Sequence, residues 1–153
     1  MTTEEVRFLL ENRIDVINSI GIMSHINRET RDEITEAICL AATCYDKDRV
    51  QSNGDGDTLT QTVERIDQEC RECNRAYGEI RFLCETKERQ LRDLDRCREK
   101  LLPIAQSVIK LRFDEGRTVA ETALEWCTSQ KSISRITTES IRVLSGMMTR
   151  KGW

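Results

Sequence analysis

The sequence predicts an all-α protein: a long antiparallel coiled-coil or helical-hairpin arm over residues 1 to 100, then a small three-helix helix-turn-helix module over residues 101 to 148. Three observations carry that expectation. Helix breakers are scarce, with one proline and seven glycines in 153 residues, while Glu, Arg, Leu, Ile and Ala, which lose little freedom in a helix, abound. Apolar residues recur in steps of three and four, the period of a helical face. At four expected helix starts a threonine is followed three residues later by Glu or Gln, the spacing at which the two side chains can cap each other's backbone N–H groups.

The elements follow in order. Thr2 with Glu5 starts a first helix over residues 3 to 20, whose apolar positions are Val6, Leu9 or Leu10, Ile14, Ile17 and Ile20, and Gly21 is expected to interrupt it. Thr30 with Glu33 starts a second helix that should fade near Cys44 or Tyr45. Residues 46 to 57, DKDRVQSNGDGD, carry Asn-Gly and Asp-Gly pairs and almost no apolar side chain, which predicts an exposed, mobile loop. Thr58 with Gln61 then opens a helix carried to about Lys100. Its stripe runs through Leu59, Val63, Ile66, Cys70, Cys73, Tyr77, Ile80, Cys84, Lys87, Leu91 and Leu94 in steps of four and three, a heptad repeat. Such a helix, about 60 Å long at about 1.5 Å per residue, cannot bury its stripe alone. It must pair with the earlier helices, with a second copy of the chain, or with both, and a homodimer through this helix is expected.

The C-terminal third reads as three short helices. Pro103 suits a first helical position, where its missing N–H goes unmissed, and a helix over residues 103 to 113 should turn Ile104, Val108, Ile109 and Leu111 inward. Asp114, Glu115 and Gly116 turn the chain, Thr118 with Glu121 caps a short helix ending near Trp126, and Ser129 caps the last. That last helix has Ile133, Ile136, Ser140, Ile141 and Leu144 on one face. Gln130, Lys131, Ser134, Arg135 and Thr138 fall on the other. A recognition helix needs this division, because its apolar face must lock against two supporting helices while polar and basic side chains near its N-terminus enter the major groove. Lys or Arg can read guanine and Gln adenine, so Gln130, Lys131, Ser134 and Arg135 are the expected base contacts. Arg112, Arg117, Thr138 and Arg142 are the expected phosphate contacts, which fix position without reading sequence. Thr122 stands where an apolar core residue is expected, and Cys127 where glycine often makes the turn.

Charge and cysteine content narrow the function. The net charge is −3, but residues 101 to 153 hold eight Lys/Arg against five Asp/Glu, so positive charge gathers where the recognition helix needs it. The last five residues form a basic tail. Seven cysteines, an odd number without a secretory signal, argue for reduced thiols packed as small apolar groups. Cys70 and Cys73 have CxxC spacing but sit at heptad core positions with no second pair to complete a zinc site. Asn53, Asp55, Asp57 and Glu64 match positions of a calcium loop, yet Thr58 stands where that loop requires glycine. No metal and no cofactor is expected. Neither signal peptide nor membrane span is present in the pattern, which predicts a cytoplasmic protein with no membrane partner. No nucleophile, base and orienting group fall together, so an enzyme is not expected.

The segment LRFDEGRTVAETALEWCTSQKSISRITTESIRVL resembles region four of bacterial sigma factors, with the LRF, EG, T-x-x-E-x-A and S-x-x-x-I-x-R elements in order and ungapped. Upstream, DRVQSNGDGD at residues 48 to 57, followed by a long charged helix, is similar to a family of small phage- and prophage-encoded regulators of Gram-positive bacteria, related in design to the RinA and ArpU late-gene activators. The similarity spans about residues 30 to 148. It implies a transcriptional regulator that binds double-stranded DNA at phage promoters and contacts host RNA polymerase. The alternative is a protein-interaction module, a coiled-coil adaptor or inhibitor of a host complex whose helix-turn-helix is vestigial or autoregulatory.

Overall fold

A computed structural model describes residues 1–48 and 56–153, and among these every regular element is a helix. The helices are α1 (Thr3–Glu11), α2 (Arg13–Asp48), α3 (Gly56–Arg98), α4 (Pro103–Ile109), α5 (Val119–Glu125) and α6 (Gln130–Arg150), with a wider turn, Lys110–Asp114, continuing α4. No helix among the described residues is long and apolar enough to cross a membrane.

Several expected boundaries move. Thr2 does cap α1, its hydroxyl accepting from the Glu5 N–H at 3.2 Å while the Glu5 carboxylate accepts from the Thr2 N–H at 2.7 Å. The break then comes at Asn12, whose backbone leaves helical values (φ −109°, ψ 21°) and whose side-chain amide donates to the Phe8 carbonyl at 2.9 Å. Gly21 does not interrupt α2. Glycine inside a helix costs only about 1 kcal/mol relative to alanine, so it weakens without breaking. Thr30 accordingly lies within α2 and is no cap, and α3 already begins at Gly56, ahead of Thr58. Of the expected loop, residues 49–55 lie outside the described residues, Asn53 and Asp55 among them, while the flanks up to Asp48 and from Gly56 are helical.

The chain divides into two compact units, Met1–Asn18 with Lys87–Trp153, and Ser19–Thr86. The first therefore holds more than the expected module of residues 101 to 148, since α1 and the end of α3 join its core. Val6, Leu10, Leu94, Val108, Ile109, Ile133, Leu144 and Met148 are all nearly inaccessible, each such aliphatic side chain contributing about 1.5–3 kcal/mol. Because the helix phase resets at Asn12, Ile14 and Ile17 miss this core and stay exposed. The Cys97 thiol is buried against the Met148 sulfur at 3.9 Å, and burial pushes its pKa up. Arg13 forks onto Asp95 with two 2.6 Å bonds, and Arg98 reaches Asp114 at 2.5 Å, fixing the end of α3 against the turn after α4. The expected basic tail is not free. Lys151 donates to one oxygen of Asp93 at 2.6 Å and the Trp153 indole to the other at 3.0 Å.

In the second unit α2 and α3 pair. The Asn27 amide donates to the Tyr77 carbonyl at 3.3 Å, and the Arg31 guanidinium lies over the Tyr77 ring, 4.8 Å from its centre.

Candidate nucleic-acid interface

The three C-terminal helices meet at a small shared core. Val108 from α4, Ala123 from α5 and Ile133 from α6 pack together, with Val119 and Ile136 against them. Each connection has a local cause. Gln106 donates from its side-chain amide to the carbonyls of Glu99 and Leu101, both at 2.8 Å, closing the bend into α4. After the wide turn, Gly116 takes a left-handed conformation (φ 68°), which costs glycine nothing. Thr118 and Glu121 form the expected capping box, and the Thr118 N–H bond holds the Glu121 carboxyl below its ordinary pKa.

The turn between α5 and α6 uses Cys127 at φ 47°, so the cysteine does occupy a position that favours glycine. The Thr128 N–H reaches the Ala123 carbonyl at 2.9 Å and the Cys127 N–H that of Leu124 at 3.1 Å, the paired bonds of a Schellman ending. Ser129 caps α6 by accepting from the Ser132 N–H at 3.1 Å. Thr122, in its expected core position, is fully buried. Its hydroxyl donates to the Thr118 carbonyl at 2.9 Å, and Thr137 and Ser140 bond the carbonyls of Ile133 and Ile136 in the same way. A hydroxyl tied to its own helix backbone can enter an apolar core without an orphaned donor.

The expected faces of α6 are the observed ones. Ile133, Ser140, Ile141 and Leu144 are buried, joined by Thr137 and Met148, and Ile136 is half-buried. Gln130, Lys131, Ser134, Arg135 and Thr138 are exposed, and none of their side chains has a hydrogen bond or ion pair to another described residue. Gln130, Lys131 and Ser134 lie within the first turn and a half, with Arg135 adjoining. The N-terminal turn carries no acidic residue.

The three arginines expected at phosphates have internal partners. Arg142 holds Glu139 through Nε at 3.1 Å and Nη2 at 2.7 Å, which pulls the Glu139 carboxyl below its ordinary pKa and raises that of the arginine. Arg117 pairs with Glu125 and with Glu115. Both are exposed pairs, weakly held against solvent and open to exchange. Arg112 differs. It donates to the Arg117 carbonyl at 2.5 Å, its Nε is buried without a partner, and it is committed to the turn rather than to a ligand. Of the five basic residues in α6 and the segment after it, Lys131, Arg135 and Arg150 make no ion pair with a described residue.

One neighbouring feature was not legible in the sequence. Ile104 is not inward but 54% exposed, because α6 stands off from the first turn of α4. A groove of about 610 Å³ opens there, walled by Leu101, Leu102, Ile104, Ile136 and Val143 with Lys100, Arg135 and Glu139 at its edges. Only the separation of α4 and α6 creates it, and no residue pattern marks that. Among the described residues no group of three His, Cys, Asp or Glu side chains could hold a metal ion. Comparisons with protein-family models, curated proteins and solved structures return no match.

Proposed function

We propose that this chain is a sequence-specific DNA-binding transcriptional regulator in which α6 reads the major groove. The observation that carries the reading is the first part of α6. Gln130, Lys131, Ser134 and Arg135 project from a helix whose opposite face is locked into a core, so the reading side chains are available while the helix that aims them is rigid. Thr138 and Arg142 serve the phosphates on the same helix, Arg142 by exchanging its exposed carboxylate for a phosphate oxygen. Arg117 can do likewise at the start of α5. The resemblance to sigma region four and to phage regulators supports promoters of phage genes as targets, host RNA polymerase as a second partner, a cytoplasmic site of action and a dimeric state. The protein acts by binding and not by catalysis.

A DNA library selection followed by a salt titration tests this. Binding should weaken steeply as salt rises, since displaced counterions drive phosphate contacts. Lys131→Ala with Arg135→Ala should erase the preference for the selected sequence, each good bidentate base contact being worth about 1–3 kcal/mol. Thermal stability should hold, because neither side chain has an internal partner. Normal operator binding by the double variant would remove α6 as the reader.

A second reading, a protein-interaction module, draws on the apolar groove beside α6 and on the exposed Leu102 and Ile104 at its edge, a kind of patch that marks protein contacts. Salt-independent association with a protein, and no selected DNA sequence, would favour it.

A further inference from the structure

We propose that the groove of the Ser19–Thr86 unit is filled by a second copy of this chain, two hairpins packing groove to groove as a four-helix bundle. This deepens the dimer named above by assigning its surface, and it rests on the geometry of this unit alone. Among the described residues of the unit only Ile20 and Cys84 are nearly inaccessible, at 8% and 5% exposure. The other described apolar side chains of the unit are half-buried or open, and of these Met23 and Ile26 on α2 are exposed and line the seam between the two helices. Two paired helices bury one seam and leave another, so among the described residues nothing covers the second apolar stripe of the hairpin.

The open seam is a groove of about 290 Å³, with Met23, Ile26, Ile34, Cys73, Tyr77 and Ile80 among its walls. Its single charged wall residue, Arg31, is laid over the Tyr77 ring. The polar members of the wall, Asn27, Thr30, Thr35 and Asn74, are uncharged, so the groove fits an occupant that is mainly apolar and uncharged along its length. The same groove of another copy satisfies this, since a self-complementary surface closes by a twofold axis. The size also suffices. Residues 19–37 of α2 span about 28 Å at about 1.5 Å per residue, and two helices lie about 20 Å across. That gives about 550 Å² per copy, or about 1,100 Å² together, just above the roughly 1,000 Å² that a specific interface needs.

Around the seam, residues 19–37 and 64–86 carry six Arg against ten Asp/Glu, a net of −4. This charge disfavours nucleic acid or an anionic lipid surface as the occupant. It also makes two copies repel at long range, and salt screens that repulsion. Self-association should thus strengthen with salt while DNA binding weakens, an opposition that separates the two surfaces in one titration.

The test is the solution mass of the full chain without DNA, across a dilution series. The expected mass is twice 17.7 kDa, with dissociation on dilution and a lower dissociation constant at higher salt. Met23→Glu with Ile26→Glu should give the single-chain mass with helical circular dichroism retained, because both positions are already exposed within one hairpin, at 42% and 56%. Ile22→Glu, at 60% exposed but off the groove wall, should stay dimeric. In the wild type, alkylation of Cys70 and Cys73, both half-buried at the groove, should accelerate as dilution separates the copies. A wild type monomeric at every concentration, a groove variant with unchanged mass, or alkylation indifferent to concentration would each overturn the proposal. Since no DNA is present, failure of the DNA reading leaves the outcome untouched.

Discussion

The two units of this chain use the same residue types in equally regular patterns and reach opposite ends. The unit of Met1–Asn18 with Lys87–Trp153 gathers pieces of six helices around side chains that lose nearly all contact with water. The unit of Ser19–Thr86 has two helices, and among its described apolar residues only Ile20 and Cys84 are nearly inaccessible. A periodic stripe is a demand for a partner and not a core in itself; a helix packed by several neighbours has its whole stripe covered, whereas a helix with one neighbour has only an edge covered.

The contrast can be broken by truncation. Leu144→Ala in the first unit should cost about 2–5 kcal/mol in denaturant unfolding, as expected for a fully buried leucine that leaves a cavity. Ile26→Ala in the second should cost no more than a few tenths in protein dilute enough to be monomeric, and several times more when concentrated. Equal costs in dilute protein would mean that the hairpin is packed as tightly as the C-terminal unit.

A smaller effect concerns how the first unit is tied shut. Hydrogen bonds from Lys151 and from the Trp153 indole hold the Asp93 carboxyl below its ordinary value. A depressed folded-state pKa adds stability that is present above the unfolded value and lost as pH falls through the folded one. Asp93→Asn should therefore be less stable than wild type near neutrality, with the gap closing below about pH 4. A gap that persists at low pH would mean that packing of Trp153, and not the carboxylate, secures this end.

The smallest effect lies in the turn of the candidate interface. Cys127→Gly relieves a left-handed conformation at a residue with a side chain and should raise stability by about 0.5–1 kcal/mol, the relief offset in part by a looser unfolded chain. Thermal unfolding would show it, and the mass of the protein should not change.

Much of the C-terminal module could be read residue by residue. Thr118 with Glu121, Ser129, Pro103 and Gly116 act where they were expected, because caps and turns depend on neighbours within a few positions. The two faces of α6 were equally legible, since helical periodicity alone sorts Ile133, Ile141 and Leu144 from Lys131 and Arg135. Thr30 and Thr58 show the limit of the same logic. A threonine three residues ahead of an acid or amide can cap a helix only where the backbone arrives extended, and in both places it arrives already helical. Arg112 shows another limit: its charge pointed to phosphate, yet the wide turn folds it onto the Arg117 carbonyl.

By itself the sequence determined that the chain is helical, where its caps lie in the last third and which stripe of α6 turns inward, all consequences of hydrogen bonds and periodicities a few residues long. Only the tertiary structure decided that α1 and the end of α3 belong with the C-terminal helices, that Lys151 and Trp153 close onto Asp93, and that Ile104 faces a groove. Those outcomes depend on which helices approach one another across the length of the chain, and burial is shared among distant segments in a way that no local pattern records.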